Sequence, residues 1–141
     1  MMAKKEHLFI VFENLLRIKG ECSCKIFSEC GLSTDITVKQ VGYLRAIDGC
    51  EEVTFSRLAK ITNNSKPTIT EMINKFVKME CVCRERCNND GRVVYIRLTE
   101  KGQMIARAEE NALMKVIEMM AESLNENEID TLVKILEKIK K

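Results

Sequence analysis

Apolar residues recur every three or four positions near the start of the chain. Leu8, Val11 and Ile18 belong to this stripe, which is the pattern of an amphipathic helix. Gly20 leaves open whether the helix continues toward residue 30, because a glycine costs about 1 kcal/mol in a helix interior. The predicted end of this first helix is Gly31.

A second helix is predicted over residues 38–48. Thr37 and Gln40 form a capping-box pattern in front of it, and Gly49 follows its last apolar position. Local signals therefore define both of its ends.

Two short helices joined by a polar turn occupy the next stretch. Thr54 or Ser56 caps the first of them, and the two asparagines at 63–64 end it. Ser65 caps the second, in which Pro67 is tolerated because the first turn of a helix has no intrahelical N–H bond to lose. Apolar residues follow one face of this second helix and polar residues the other. The arrangement predicts a helix-turn-helix, whose second helix enters the major groove of DNA.

The apolar spacing changes to every second position after residue 80. Residues 81–86 and 93–98 are strand-like, and the segment 87–91 between them supplies Asn, Asp and Gly, which favour a hairpin turn. A β-hairpin directly behind a helix-turn-helix is a wing. It carries four basic residues with the reach to contact phosphates or a minor groove: Arg84, Arg86, Arg92 and Arg97.

Helical spacing returns after the hairpin. Thr99 caps a long helix, and Asn125 with Glu128 forms another capping-box pattern before a last helix that reaches the C-terminus. The terminal helices carry more apolar surface than a small central unit covers, so we expect a second copy of the chain to cover it. The predicted fold is mainly α with a small β-hairpin wing, in one domain over 1–141. Its winged helix-turn-helix lobe spans 37–99, and its dimerisation helices lie at 1–31 and 100–141.

Length and composition agree with this fold. Of 141 residues, 45% are apolar and 31% charged, which is the balance of a globular protein. The longest uncharged apolar run, residues 8–12, is too short to span a membrane. The first residues lack the apolar core of a signal peptide, so we expect a cytoplasmic protein.

Positive charge is concentrated in the middle of the chain. The formal net charge is +2, yet residues 54–102 hold 10 Lys and Arg against 5 Asp and Glu. Clustered basic residues favour a polyanionic partner through the release of counterions. The excess lies on the predicted helix-turn-helix and wing, so the expected partner is double-stranded DNA.

The chain has seven cysteines, of which six form two triplets: Cys22, Cys24 and Cys30, then Cys81, Cys83 and Cys87. An odd number in a reducing compartment argues against a disulfide scaffold. Neither triplet has a standard zinc or iron–sulfur spacing, although the second triplet shares strand parity. Three interpretations stay open: thiols packed as small apolar groups, a zinc or iron–sulfur centre, and a thiol that responds to oxidation.

The sequence contains no catalytic constellation. His7 is the sole histidine and has no nucleophile and acid pattern around it, and neither a glycine-rich phosphate loop nor a paired-carboxylate motif occurs. We therefore expect a protein that is not an enzyme.

Six residues of the hairpin and the next helix fall into a distinctive order. A basic residue precedes the turn, Asp-any-Arg stands at its tip, and Leu-Thr-any-any-Gly opens the next helix; these are Arg84, Asp90, Arg92, Leu98, Thr99 and Gly102. In this motif, and in the order of its elements, the chain resembles the MarR family of winged helix-turn-helix transcriptional regulators.

The resemblance implies a role for each matching position. Residues 65–76 match the recognition helix, whose candidate DNA contacts are Ser65, Lys66, Thr68, Thr70 and Asn74. Arg92 matches the wing arginine that enters a minor groove, and Asp90 the carboxylate that orients it. Arg84 and Arg86 complete the candidate set. The resemblance also implies a homodimer and a small apolar or phenolic effector.

The sequence is thus interpreted as a homodimeric transcriptional regulator, a repressor that binds a pseudo-palindromic operator and is released by a small-molecule or redox signal. Two alternatives are a cysteine-rich zinc or iron–sulfur redox sensor and a winged-helix module that binds protein. Glu80 departs from the family pattern, because a glycine closes the recognition helix there. It places a negative charge near the predicted DNA face and predicts a weaker end to that helix. The three wing cysteines also depart from the usual aliphatic, acidic or polar residues.

Overall fold

The computed structural model of the chain describes residues 3–31 and 36–140. Within these ranges it contains α1 (Lys4–Glu29), α2 (Val38–Asp48), β1 (Val53–Thr54), α3 (Phe55–Thr62), α4 (Lys66–Lys78), β2 (Val82–Arg86), β3 (Val94–Leu98), α5 (Glu100–Ala106), α6 (Ala108–Ser123) and α7 (Glu126–Glu137). The predicted fold class, mainly helical with a small wing, is confirmed. The predicted regions also include residues 1, 2 and 141, which lie outside the described residues.

Side-chain caps set the starts of five helices. In each case the capping oxygen accepts a hydrogen bond from the backbone N–H three residues later, which satisfies a donor that the helix itself leaves unpaired. The caps are Thr37, Thr54, Ser65, Thr99 and Asn125. Where the sequence allowed Thr54 or Ser56, the structure has Thr54.

The first helix ends near the predicted glycine, and only the long helix after Thr99 differs in extent from the prediction. α1 continues through Gly20 to Glu29, and the chain turns at Gly31 with a φ of +73°. The long helix predicted from Thr99 is in fact two helices, α5 and α6, separated at Arg107. The guanidinium of Arg107 donates two hydrogen bonds, of 2.9 and 3.0 Å, to the carboxylate of Asp48 in α2. These bonds hold the end of α5 on α2.

The wing contains a third strand that the sequence did not reveal. The sheet order is β1-β3-β2 and all pairings are antiparallel, with Val53 opposite Ile96 and Val82 opposite Leu98. β1 has only two residues, which is too short for a period-two pattern to be recognised.

The described chain forms two compact units, Met1–Cys24 with Glu109–Lys141, and Lys25–Ala108. We call the second the central unit and the first the terminal unit. The core of the central unit is built from helices α2 to α5 and the sheet, and its largest fully buried side chains include Phe76, Leu44, Leu58, Ile69 and Ile73. The central unit extends beyond the predicted lobe, because α5 buries Ile105 and Ala106 in the same core.

The terminal unit has a partly buried polar contact and a large apolar surface. Glu109 of α6 accepts hydrogen bonds from Lys19 and Ser23 of α1, each of 2.7 Å. Ala112 and Val116 are buried, whereas most large apolar side chains of this unit are exposed. No helix in the described ranges has the length and apolar character needed to cross a membrane.

Candidate nucleic-acid interface

The turn between α3 and α4 is fixed by local backbone chemistry. Asn63 ends α3 in the left-handed conformation with a φ of 55°, which asparagine tolerates better than most residues. The side chain of Asn64 then donates a hydrogen bond of 2.8 Å to the hydroxyl of Tyr43 in α2. Ser65 begins α4 immediately afterwards, so the predicted helix-turn-helix is present.

α4 presents one buried face and one exposed face. Ile69, Ile73 and Phe76 are fully buried and anchor the helix in the core. All five predicted DNA contacts of this helix lie on its exposed side: Ser65, Lys66, Thr68, Thr70 and Asn74. The hydroxyl groups of Ser65 and Thr68 are 2.8 Å apart and hydrogen-bond each other, while the side chain of Thr70 borders a groove between α4 and the wing.

The end of α4 forms a tight turn in spite of the missing glycine. Glu80 has a φ of 63°, its N–H donates to the carbonyl oxygen of Val77, and the N–H of Cys81 donates to that of Phe76. This pair of bonds is the Schellman arrangement, which usually has glycine at the left-handed position. The turn therefore has the usual geometry, and the predicted weakness lies in its stability. A residue with a side chain costs about 1–2 kcal/mol in the left-handed conformation.

The tip of the wing is shaped by two of the predicted DNA residues. The Asp90 carboxylate accepts a hydrogen bond of 3.0 Å from the backbone N–H of Arg92, and Arg86 donates one of 3.0 Å to the carbonyl oxygen of Gly91. The expectation that Asp90 orients the guanidinium of Arg92 stays a prediction; in the structure Asp90 holds the backbone of that residue. Arg92 itself is exposed.

One open groove joins α4 to the wing. Its volume is about 520 Å³, and Thr70 of α4 lines it together with Arg84 and Arg92. The sequence did not single out its other lining residues, which are Thr54, Phe55, Ser56, Val93 and Val94. Thr54 and Ser56 were identified only as candidate caps of α3. Phe55 had no sequence signal, because its place in the groove depends on the pairing of β1 with β3.

The remaining wing arginine, Arg97, is neutralised within the protein. It forms a salt bridge with Glu85 on the neighbouring strand, and its guanidinium carbon lies 5.7 Å from the centre of the Tyr95 ring. A side chain with these contacts is poorly placed to provide free positive charge.

The structure does not gather the six candidate cysteines into one metal-binding group among the described residues, although Cys30 lies near Cys81. Cys81 is buried in the core, Cys83 is exposed on β2, and Cys87 is partly exposed after the end of that strand, so the second triplet does not share one strand face. Among the described residues, no group of three His, Cys, Asp or Glu side chains is arranged to hold a metal ion. Cys22, Cys24 and Cys30 belong to α1 or directly follow it. A site shared between subunits stays an untested alternative.

The pKa values of two cysteines in the wing region are shifted in opposite directions. The pKa of Cys87 is lowered, mainly because the backbone N–H groups of Asn89 and Asp90 hydrogen-bond its sulfur, with a further contribution from the hydroxyl of Tyr95. The pKa of Cys81 is raised because burial disfavours its thiolate. Cys87 is therefore the more reactive of the two thiols.

Comparison with known proteins agrees with this geometry. A model of the transcriptional regulator SarA/Rot family matches residues 25–108, which is more than half of the chain. The chain belongs to the SarA/Rot family of transcriptional regulators. It is thus a transcriptional regulator and not an enzyme, and the winged-helix fold implied by the resemblance to the MarR family is confirmed.

Three solved structures illustrate the likeness. FabT of Streptococcus pneumoniae in complex with DNA is 26% identical, with a TM-score of 0.55 over 95% of this chain and 90% of that one. S. aureus MepR bound to ethidium bromide is 16% identical, with a TM-score of 0.70 over 97% and 94%. A mutant of S. aureus MepR bound to an oligodeoxyribonucleotide is 18% identical, with a TM-score of 0.63 over 97% and 96%. At these identities the MepR structures establish the fold alone.

Proposed function

We propose that the chain is a homodimeric repressor that binds a pseudo-palindromic operator, with α4 in the major groove and the wing tip against an adjacent minor groove. The observation that carries this proposal is the groove shared by Thr70, Arg84 and Arg92, because it places the recognition helix and two wing arginines on one open surface. A surface of this kind joins the elements that read bases to those that contact the backbone.

Electrostatics support DNA as the partner. The excess of positive charge lies on residues 54–102, and many of its carriers are exposed, namely Arg57, Lys60, Lys66, Lys75, Lys78, Arg86 and Arg92. Each phosphate neutralised by such a group releases counterions, so the affinity should fall steeply as salt is added. The complex of FabT with DNA supports the same partner.

Exposed apolar side chains support the homodimer. In α1 of the terminal unit, Phe9 and Leu16 are 66% and 65% exposed, and Leu8, Val11 and Phe12 are also exposed. A continuous patch of this kind on a soluble protein marks an interface. A two-fold dimer would bury the patch against its own counterpart and would present two copies of α4, about 34–36 Å apart, to successive turns of DNA.

The proposed signal is a small apolar or phenolic compound. A groove of about 380 Å³ in the terminal unit supports this class of ligand, because nearly all of its lining is hydrocarbon, including Leu15, Leu113 and Met120. Phe12 and Leu16 of the proposed dimer patch also line it, so a ligand there would lie at the dimer interface. Binding there would release the operator by shifting the dimer to a state that does not fit DNA. As a regulator of genes, the protein would act in the cytoplasm.

Selection of duplexes from a random pool, followed by binding of the enriched sequence in increasing salt, tests the proposal. We expect a pseudo-palindrome, a dimer in sedimentation equilibrium, and a binding constant that falls linearly with salt on logarithmic axes. Lys115→Ala on α6 is the matched control for arginine variants of the wing, because Lys115 is an exposed lysine of the terminal unit, where it pairs with Glu118. A monomer that enriches no sequence would refute the proposal. If a monomer enriches a specific duplex, only the proposal of a homodimer is refuted.

A further inference from the structure

Arg84 connects three elements of the central unit. It lies on β2, its guanidinium donates a hydrogen bond to Oδ1 of Asn74 in α4, and its guanidinium carbon is 5.8 Å from the centre of the Phe55 ring at the start of α3. The last distance is within the range of a cation–π contact. The family motif suggested either a DNA contact or a bracing role in the wing for this arginine, and its contacts in the structure are with the protein.

The hydrogen bond to Arg84 fixes the orientation of the Asn74 amide. Oδ1 and Nδ2 are opposite ends of one planar group, so engaging the oxygen with Arg84 turns the nitrogen away from it. Asn74 is exposed, and within the described ranges its Nδ2 has no hydrogen-bond partner. The amide thus presents two N–H donors to its surroundings, while its oxygen is directed at Arg84, which takes one of its two lone pairs.

An asparagine amide that offers only its N–H donors to DNA recognises a different base from an amide that is free to turn. A free asparagine recognises adenine by accepting from N6 and donating to N7, which requires both ends of the amide. Guanine presents two acceptors in the major groove, N7 and O6, and no donor. Fixed donors are therefore complementary to guanine, and they do not supply the acceptor that adenine needs.

We propose that Arg84 is a positioning residue that holds the Asn74 amide with its donors toward DNA, so that the operator base facing Asn74 is guanine. This inference rests on the proposed placement of α4 in the major groove. It assigns the guanidinium of Arg84 to contacts within the protein, and it leaves the phosphate contacts of the wing to Arg92 and its neighbours.

The test compares wild type with Arg84→Met, Asn74→Ala and the double variant, using the duplex that wild type selects and the duplex with adenine at the inferred position. Wild type should prefer guanine by about tenfold, within the range of one good side-chain contact to a base. Arg84→Met should lose that preference, because the amide is then free to turn. The double variant should lose no more than Asn74→Ala alone, since both changes remove the same contact.

Salt dependence separates positioning from phosphate binding. The salt slope of Arg84→Met should equal that of wild type, whereas loss of a phosphate contact lowers the slope by about one unit. Arg84→Lys keeps the charge but replaces the planar guanidinium, so it should weaken the guanine preference at an unchanged slope. It also serves as the second variant if circular dichroism shows Arg84→Met to be unfolded.

The outcomes are distinguishable from failure of the proposed function. If wild type selects no duplex, the proposed function fails. If wild type selects an operator but Arg84→Met or Arg84→Lys retains the full base preference, or if Arg84→Met loses one unit of slope, only the inference about Arg84 is overturned. A preference for adenine at every position affected by Asn74→Ala would overturn it as well.

Discussion

Replacing Gly102 by alanine probes the closest backbone approach in the central unit. A Cβ atom at this position would lie 2.0 Å from the carbonyl oxygen of Cys81 and 3.0 Å from its carbonyl carbon. A carbon and an oxygen in contact are normally separated by roughly 3.3 Å, so the backbone would have to separate by about 1 Å. No rotation of a side chain relieves this overlap, because the atoms belong to the main chain.

The size of the effect follows from the bonds around Cys81. Its N–H donates to the carbonyl oxygen of Phe76 and its own carbonyl oxygen accepts from the N–H of Thr99, both at 2.9 Å. Overpacking of a buried site costs about 1–3 kcal/mol, and loss of one backbone hydrogen bond adds about 1 kcal/mol. Alanine recovers up to about 1 kcal/mol through its higher helix propensity. We therefore expect Gly102→Ala to lower the free energy of unfolding by about 1–4 kcal/mol.

Urea unfolding followed by far-ultraviolet circular dichroism, at one fixed protein concentration, measures this loss. Gly42→Ala is the matched control, because Gly42 lies in α2 and a Cβ atom added there would have open space for 4 Å around it. The control should unfold at the same or a slightly higher urea concentration than wild type. An unfolding midpoint for Gly102→Ala equal to that of wild type would refute the steric argument.

Four further outcomes are expected. Glu80→Gly should raise the free energy of unfolding by about 0.5–1 kcal/mol in the same assay, because relief of the left-handed strain exceeds the added chain entropy; a decrease would contradict it. Arg92→Ala should weaken binding to all duplexes and lower the salt slope by about one unit, and an unchanged slope would show that it contacts no phosphate. Thr70→Ala should alter the sequence selected from a random pool more than the total affinity, and identical selected sequences would remove Thr70 from the base contacts. Iodoacetamide at pH 7.5 should modify Cys87 faster than Cys81 in peptide mapping, since the pKa of Cys87 is lowered and that of Cys81 is raised; equal rates would contradict these shifts.

Features governed by neighbouring residues were predictable from the sequence. The caps at Thr37, Ser65 and Asn125 each act on a residue three positions away, so their signals are contained in four-residue patterns. The amphipathic stripe of α4 likewise identified its buried face, because burial repeats with the period of the helix.

Features governed by distant residues were not predictable in this way. The break between α5 and α6 involves Arg107 and Asp48, which are 59 positions apart. The contact of Arg84 with Asn74 joins a strand to a helix, and the role of Phe55 in the groove requires the sheet to be complete. The sequence identified Arg84 as part of the site but not what it contacts. The DNA contacts of individual residues stay predictions.

The Leu-Thr-any-any-Gly motif organises the structure of the central unit. The Oγ1 of Thr99 accepts from the N–H of Gly102 at 3.1 Å and donates to the carbonyl oxygen of Glu80 at 2.6 Å, while its backbone N–H bonds to Cys81. One threonine thus joins the start of α5 to the end of α4 and the start of β2, and only glycine at 102 allows the close approach. Because α4 and the wing meet at this junction, their relative orientation is set before any DNA is bound. A reading surface ordered in advance loses less conformational entropy on binding, so we expect Thr99 and Gly102 to support recognition through the fold of the central unit.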